Sequence, residues 1–182
     1  MIRGRFVKPQ HPSRSACRFV LIASAGMIAV FQICGSLGIR FNLSPSLPMG
    51  IYIASKAGKL VEFCPAEPFA ALAIERGYRD QGSCPDGAAP LLKPVVAVGG
   101  DSVELSERGL AVNGSLLPDS APLAADTKGR PLHAWPPGRS IVPEGMLWVI
   151  SSYNPRSFDS RYFGPIPTTA VRDHVRPLLT EW

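Results

Sequence analysis

Residues 93–105 read KPVVAVGGDSVEL, and they decide the fold class. A short apolar run reaches Gly99-Gly100, and a second run follows the turn at once. Runs this short, rich in valine and bounded by turn formers, are strands. The flanking chain repeats the pattern. GIYIAS at residues 50–55 alternates, and GMLWVISS at residues 145–152 reads as a buried strand. GLAVNGSLL at residues 109–117 holds Asn113-Gly114 between apolar flanks, the signal of a type I′ hairpin. Most of the prolines and glycines lie in residues 40–182, which suits short strands and argues against a helical bundle. PAEPFAALAIERGY at residues 65–78 differs: its Ala, Leu, Ile and Glu before Gly77 predict a short helix. SFDSRYFGPIP at residues 157–167 packs an acid, a base, hydroxyls and aromatics together and does not alternate like a strand. The expected body is mainly β, its strands coiled into a sandwich or barrel-like form.

Charge divides the chain. Residues 1–39 carry Arg3, Arg5, Lys8, Arg14 and Arg18 and no acid, while residues 40–182 balance 14 basic against 14 acidic side chains. The high pI therefore belongs to a tail, which weighs against nucleic acid as a partner, since a DNA-binding domain places its excess charge on the folded part. Residues 19–39 form an uncharged run of 21 residues. As a helix this is about 30 Å long, the thickness of a hydrocarbon core. It exceeds the apolar core of a signal peptide and lacks a clear cleavage site, which favours a retained transmembrane anchor. With the basic residues on its N-terminal side, residues 1–18 stay in the cytoplasm and residues 40–182 are exported.

Of the four cysteines, Cys64 and Cys84 lie in the exported part. An oxidising compartment lets them pair, closing a loop of about 20 residues around the predicted helix. A metal site is the weaker alternative, because no C-x-x-C pair is present and the histidines are distant in sequence. A thiol-redox role for the pair is weaker still. No cofactor or metal is expected.

FNLSPSLPMG at residues 41–50 sets two serines one residue apart, with prolines between and after them. A linker rich in turn formers is one explanation; a nucleophile beside an oxyanion donor is the other. Of the three histidines, His11 lies in the tail, and His133 and His174 lie in no local motif for a serine–histidine arrangement. A lysine can act as base instead if burial lowers its pKa. Lys56, Lys59 and Lys128 sit in polar turns, whereas Lys93 is flanked by apolar residues on both sides. A lysine in that setting is either a snorkelling edge residue or a desolvated functional amine.

SPSLP, LLKPVVAVGGDSV and SFDSRYFG occur here in the order seen in serine–lysine type I signal peptidases, the S26 superfamily, and the chain resembles that class. In detail it resembles the conjugative-transfer branch, the TraF-type peptidases, more than the general ones, through its N-x-S-x-S-L-P-x-G-x-Y opening at residues 42–52 and its FCP…RGY…GSCP insertion. The resemblance spans roughly residues 40–179. It implies coiled antiparallel sheets like those of signal peptidases, with a disulfide-stapled helical insertion at residues 65–84. It also implies Ser46 as nucleophile, Lys93 as general base, and Ser44 as an oxyanion donor beside the Ser46 N–H. Asp159 and Arg161 correspond to a supporting pair, and Ser160 to a partner of the lysine. Should the register slip by two, Ser44 becomes the nucleophile. The implied partners are the membrane, an exported precursor (a pilin or another signal-peptide-bearing protein) and components of a secretion or conjugation machinery. The implied location is the bacterial inner membrane, with the catalytic domain in the periplasm. In that branch, release of the acyl group by the substrate's own amine would join the pilin ends. Two rivals remain: a general signal peptidase, and a non-catalytic membrane-anchored assembly factor that keeps a peptidase-like domain.

Overall fold

The computed structural model describes residues 14–181, without the side chains of residues 14–21, 28, 30 and 31. The chain divides after Gly38 into two units. In the first, helix α1 spans Arg14–Ser36. It starts before the predicted anchor and stops short of its end. The Leu37 N–H bonds to Ile33 O, the Gly38 N–H bonds to Gly35 O, and Gly38 takes φ 73°. A glycine in the left-handed region is a common helix stop. Ile39, placed in the anchor for its lack of charge, instead opens the first strand. Among the described residues no helix is long and apolar enough to cross a membrane. The side chains of Phe19, Val20, Leu21, Ile28, Val30 and Phe31 lie outside the described set, as do residues 1–13 of the basic tail, including His11.

The second unit runs through β1 (Ile39–Asn42), β2 (Gly50–Ser55), β3 (Leu60–Phe63), α2 (Phe69–Glu75), β4 (Leu91–Val98), β5 (Ser102–Ser106) and β6 (Gly109–Val112). It continues through β7 (Ser115–Leu116), β8 (Gly138–Ile141), β9 (Met146–Val149), α3 (Ser160–Phe163), β10 (Ile166–Pro167) and β11 (Val171–Thr180). One sheet has seven strands in the order β1-β2-β11-β3-β4-β9-β10, and the other has four in the order β7-β6-β5-β8. The strand pairs within both sheets are antiparallel. The body is mainly β with few helices, as expected.

The Gly99-Gly100 turn is a corner between the sheets rather than a hairpin, since β4 and β5 belong to different sheets. Asp101 braces it by accepting the Val98 N–H at 2.8 Å and Asn113 Nδ2 at 2.8 Å. A side chain at Gly99 would press on Glu144. The predicted β6–β7 hairpin forms with positive φ at Asn113 (51°) and Gly114 (82°), the geometry of a type I′ turn.

Alternation along β9 explains its unbroken apolar sequence. Leu147 and Val149 enter one core cluster with Val61, Phe63, Leu91 and Phe158, while Trp148 and Ile150 enter a second with Ala97, Val103 and Leu110. A strand buried on both faces has no polar face to show. The 157–167 stretch supplies the aromatic part of the first cluster. There Phe158 stacks on Tyr162 at 5.6 Å and meets Phe163 edge-on at 5.5 Å.

Cys64 and Cys84 are bonded, with Cα atoms 5.8 Å apart. The helix between them is shorter than the predicted stretch. It ends at Glu75, and Gly77 follows at φ 69°. Arg79, its side chain fully buried, adds a second tie through Asp86 at 2.5 and 3.1 Å and Ala89 O at 2.7 Å. Replacing both cysteines by serine is expected to lower the unfolding free energy by about 3 kcal/mol. Urea midpoints with and without reductant check this. Reductant should move the wild type to the variant's midpoint and leave the variant where it is.

Candidate active site

The two serines sit on a turn organised by Asn42, at the end of β1. Asn42 is buried, and its Nδ2 lies 3.0–3.2 Å from the carbonyls of Ser44, Leu47 and Pro48. Its Oδ1 accepts the Ser44 N–H at 3.2 Å. One amide thus satisfies the polar groups of a backbone that joins no strand. Tyr52 OH donates to Pro48 O at 2.7 Å, and Asn154 Nδ2 donates to Pro45 O at 3.1 Å. Ser151 Oγ donates to the carbonyl of Ser46. The hydroxyls of Ser44 and Ser46 lie 2.9 Å apart, and the Ser46 N–H reaches Ser44 Oγ at 3.3 Å. Ser46 is 9% exposed, whereas Ser44 is open to solvent.

Lys93 comes from β4, paired with Val61 across β3. It is 3% exposed, so it is not an edge lysine reaching for water. Burial disfavours its ammonium and brings its pKa down from 10.5 to about 8. The Asp159 carboxylate pulls it back up, and the Arg161 guanidinium pushes it down. Ser44, Ser46 and Lys93 line one cavity of about 340 Å³, together with Tyr78, Ser157 and Phe158. They also line a second cavity of about 290 Å³, with Arg40, Glu62 and Arg79.

Asp159 and Arg161 line neither cavity. They form a fully buried pair, Nε to Oδ1 at 2.8 Å and Nη2 to Oδ2 at 2.8 Å. The remaining guanidinium hydrogens go to the carbonyls of Pro155, Ser157, Ala121 and Asp119. Asp159 also caps α3 by accepting the Arg161 N–H at 3.2 Å, and it accepts the Ser151 N–H at 3.2 Å. A hydrogen-bonded path therefore runs from the buried pair through Ser151 to the backbone of Ser46. Ser160 turns elsewhere. It is buried, its hydroxyl accepts the Val149 N–H at 2.9 Å, and it lines neither cavity.

Ser157 is the serine of this box that reaches the cavity. It is 4% exposed, and its Oγ is buried without a hydrogen-bond partner. Sequence reasoning passed over it and took Ser160, the hydroxyl beside the Asp-Arg pair. An unpaired buried hydroxyl in a cavity lined by a buried amine is the more direct candidate to meet that amine. Sequence reasoning also missed Ser151, which no motif marked, and the organising role of Asn42. His133 is exposed, and His174 Nδ1 lies 2.9 Å from Gly58 O. Neither histidine lines the cavities around Ser46.

An antiparallel β body thus brings two serines and a desolvated lysine to one cavity. The family described as signal peptidase, peptidase S26, matches residues 14–179, and this chain belongs to it. It is 36% identical over 170 residues to the plasmid transfer protein TraF of Escherichia coli, covering 87% of this chain and 93% of that one. It is 39% identical over 170 residues to a probable conjugal transfer protein TraF of Sinorhizobium fredii, covering 87% of each. Among solved structures, a signal peptidase I from Enterococcus faecalis V583 matches with a TM-score of 0.36 and 23% identity, covering 66% of this chain and 97% of that one.

Proposed function

We propose that this chain is a membrane-anchored serine endopeptidase that cleaves exported precursors after small residues, with pilin-type proteins of a conjugative apparatus as its substrates. The observation that carries this is the burial of Lys93 in a cavity it shares with both serines. A non-catalytic scaffold would not need a desolvated amine there. The relatives named for plasmid and conjugal transfer support the substrate class. The anchor rests on residues 19–39 and the basic flank before them, with the domain on the periplasmic side of the inner membrane. Phe41, Leu43 and Met49, exposed around the serine turn, suit a site that works at the membrane face.

In this mechanism the neutral amine of Lys93 takes the proton of Ser46 Oγ as that oxygen attacks the scissile carbonyl. The developing oxyanion receives the Ser46 N–H and the Ser44 hydroxyl. Before substrate binds, the Ser46 N–H donates to Ser44 Oγ and the two hydroxyls share a hydrogen bond, so the carbonyl oxygen takes the place of contacts within the turn. The lysine ammonium returns its proton to the leaving amine. Water, or an incoming amine, then releases the acyl group. The unpaired Ser157 hydroxyl, in the same cavity, accepts from the lysine ammonium once it forms, and the Asp159–Arg161 pair keeps the surrounding loop in place.

The test is cleavage of a precursor by the full-length protein in detergent, followed across pH. Because the base must be neutral, kcat/KM should rise with pH through an apparent pKa near 8 and level off above it. A profile flat from pH 6 to 9, or no cleavage of any small-residue precursor, overturns the proposal. Ser44→Ala is expected to lower kcat by about 10²–10³-fold, the usual effect of losing one oxyanion donor. Mass spectrometry of the product separates hydrolysis from transfer to an amine.

A further inference from the structure

Five residues line both cavities: Ser44, Ser46, Tyr78, Leu91 and Lys93. Four of them belong to the serine turn and β4. Tyr78 alone comes from the stapled insertion, three residues past the end of α2. Its setting is rigid. The phenol donates to Asp126 Oδ2 at 2.6 Å, the ring lies 5.2 Å from Phe158, and the guanidinium of Arg130 sits 5.6 Å from the ring centre. The Tyr78 N–H bonds to Ala73 O at 2.8 Å. Asp126 is itself fixed, accepting the N–H groups of Lys128 and Arg130 and the Arg130 Nε–H. Two segments remote in sequence thus grip one ring beside the serine and lysine.

We propose that Tyr78 is a specificity-determining residue: its ring partitions the space around Ser46 and sets an upper limit on the substrate side chains that fit beside the scissile bond. An extended peptide sends alternate side chains to opposite sides, so a partition at the attacked carbonyl meets the residue that supplies this carbonyl. Tyr78 lines both spaces, of about 340 and 290 Å³, so truncating its ring enlarges the room beside Ser46 that a bulky residue can use. The inference rests on the serine–lysine reading for its cleavage readout, but not for its binding readout.

The experiment uses the full-length protein in detergent and precursor peptides with Ala, Val, Leu or Phe at the residue before the cleaved bond. The wild type should favour Ala. Tyr78→Ala should raise kcat/KM for the Leu and Phe peptides relative to Ala by at least about tenfold, the scale of a changed hydrophobic pocket. Tyr78→Phe keeps the ring and should keep the wild-type ranking. Tyr78→Leu, which refills the side packed on Phe158, guards against a folding defect, as does a melting curve for each variant. The same peptides are titrated against Ser46→Ala with and without Tyr78→Ala, reading affinity by fluorescence anisotropy. An unchanged ranking in both readouts overturns the role of Tyr78. A wild type that cleaves nothing, with a Tyr78-dependent shift in binding, overturns the peptidase reading and leaves Tyr78 as the selector.

Discussion

Lys93→Met is expected to abolish turnover and, at neutral pH, to stabilise the protein. The first effect follows from the role proposed for Lys93 as base, the loss of which ordinarily lowers the rate by at least about 10²–10⁴-fold. The second follows from burial. Lys93 is 3% exposed, and its pKa falls from 10.5 in water to about 8 in the fold, which corresponds to a folding cost of about 3 kcal/mol. Between pH 8 and 10.5 the unfolded chain binds more protons at this site than the folded one does. The stability of the wild type therefore rises with pH across that window, and the cost is full below about pH 8. Methionine fills much of the same volume without a charge. Its advantage in urea melts should be constant below about pH 8, shrink as pH rises, and vanish above 10.5. Ser46→Ala should lose turnover to a similar degree with a stability change within about 1 kcal/mol. If Ser44→Ala is the inactive serine variant instead, the nucleophile assignment moves by two residues. A Lys93→Met protein less stable than the wild type at pH 7 would make the lysine a structural element.

Arg161→Ala is expected to cost about 3–5 kcal/mol. The substitution strands the Asp159 carboxylate, whose side chain is wholly buried, and frees the carbonyls of Pro155, Ser157, Ala121 and Asp119. A buried charge without its partner is far worse than no charge at all. Denaturant melts of Arg161→Ala, Asp159→Asn and the double variant check this, with the double variant less destabilised than the sum of the singles. Additive losses would mean that the two residues act independently. Damage should also reach the site, because Asp159 holds the Ser151 N–H and Ser151 holds the carbonyl of Ser46.

Much of this was legible in the sequence. Valine-rich runs and the Asn113-Gly114 turn spell strands, and the apolar flanks of Lys93 single it out among the lysines. The two cysteines announced their bond through spacing and expected compartment. β11 was not legible. VRDHVRPLLT carries four charged or titratable side chains and a proline, yet it lies between β2 and β3 in the larger sheet. Its polar side chains serve the surface and ion pairs such as Arg40–Asp173 at 2.7 Å. Only Val175 is fully buried, and a register shift falls beside Pro177. Periodicity reports burial, so a strand with one buried residue leaves almost no trace. Ser157 and Ser160 present the same difficulty on a smaller scale. Both are serines of one box, and only packing decides which hydroxyl caps a backbone N–H and which is left for the cavity.

The place of β11 governs when the molecule can be complete. Its neighbours β2 and β3 are separated from it by more than a hundred residues of chain. During synthesis both expose ladder edges until Val171–Thr180 has been made. Loop closure of this length is slow and leaves strand edges open to wrong pairing. The serine turn, made early, therefore waits beside an unfinished sheet. Because residues 171–180 must dock before the sheet closes across β2, β11 and β3, a growing chain cannot complete the larger sheet beside the serine turn until almost its last residues have been made.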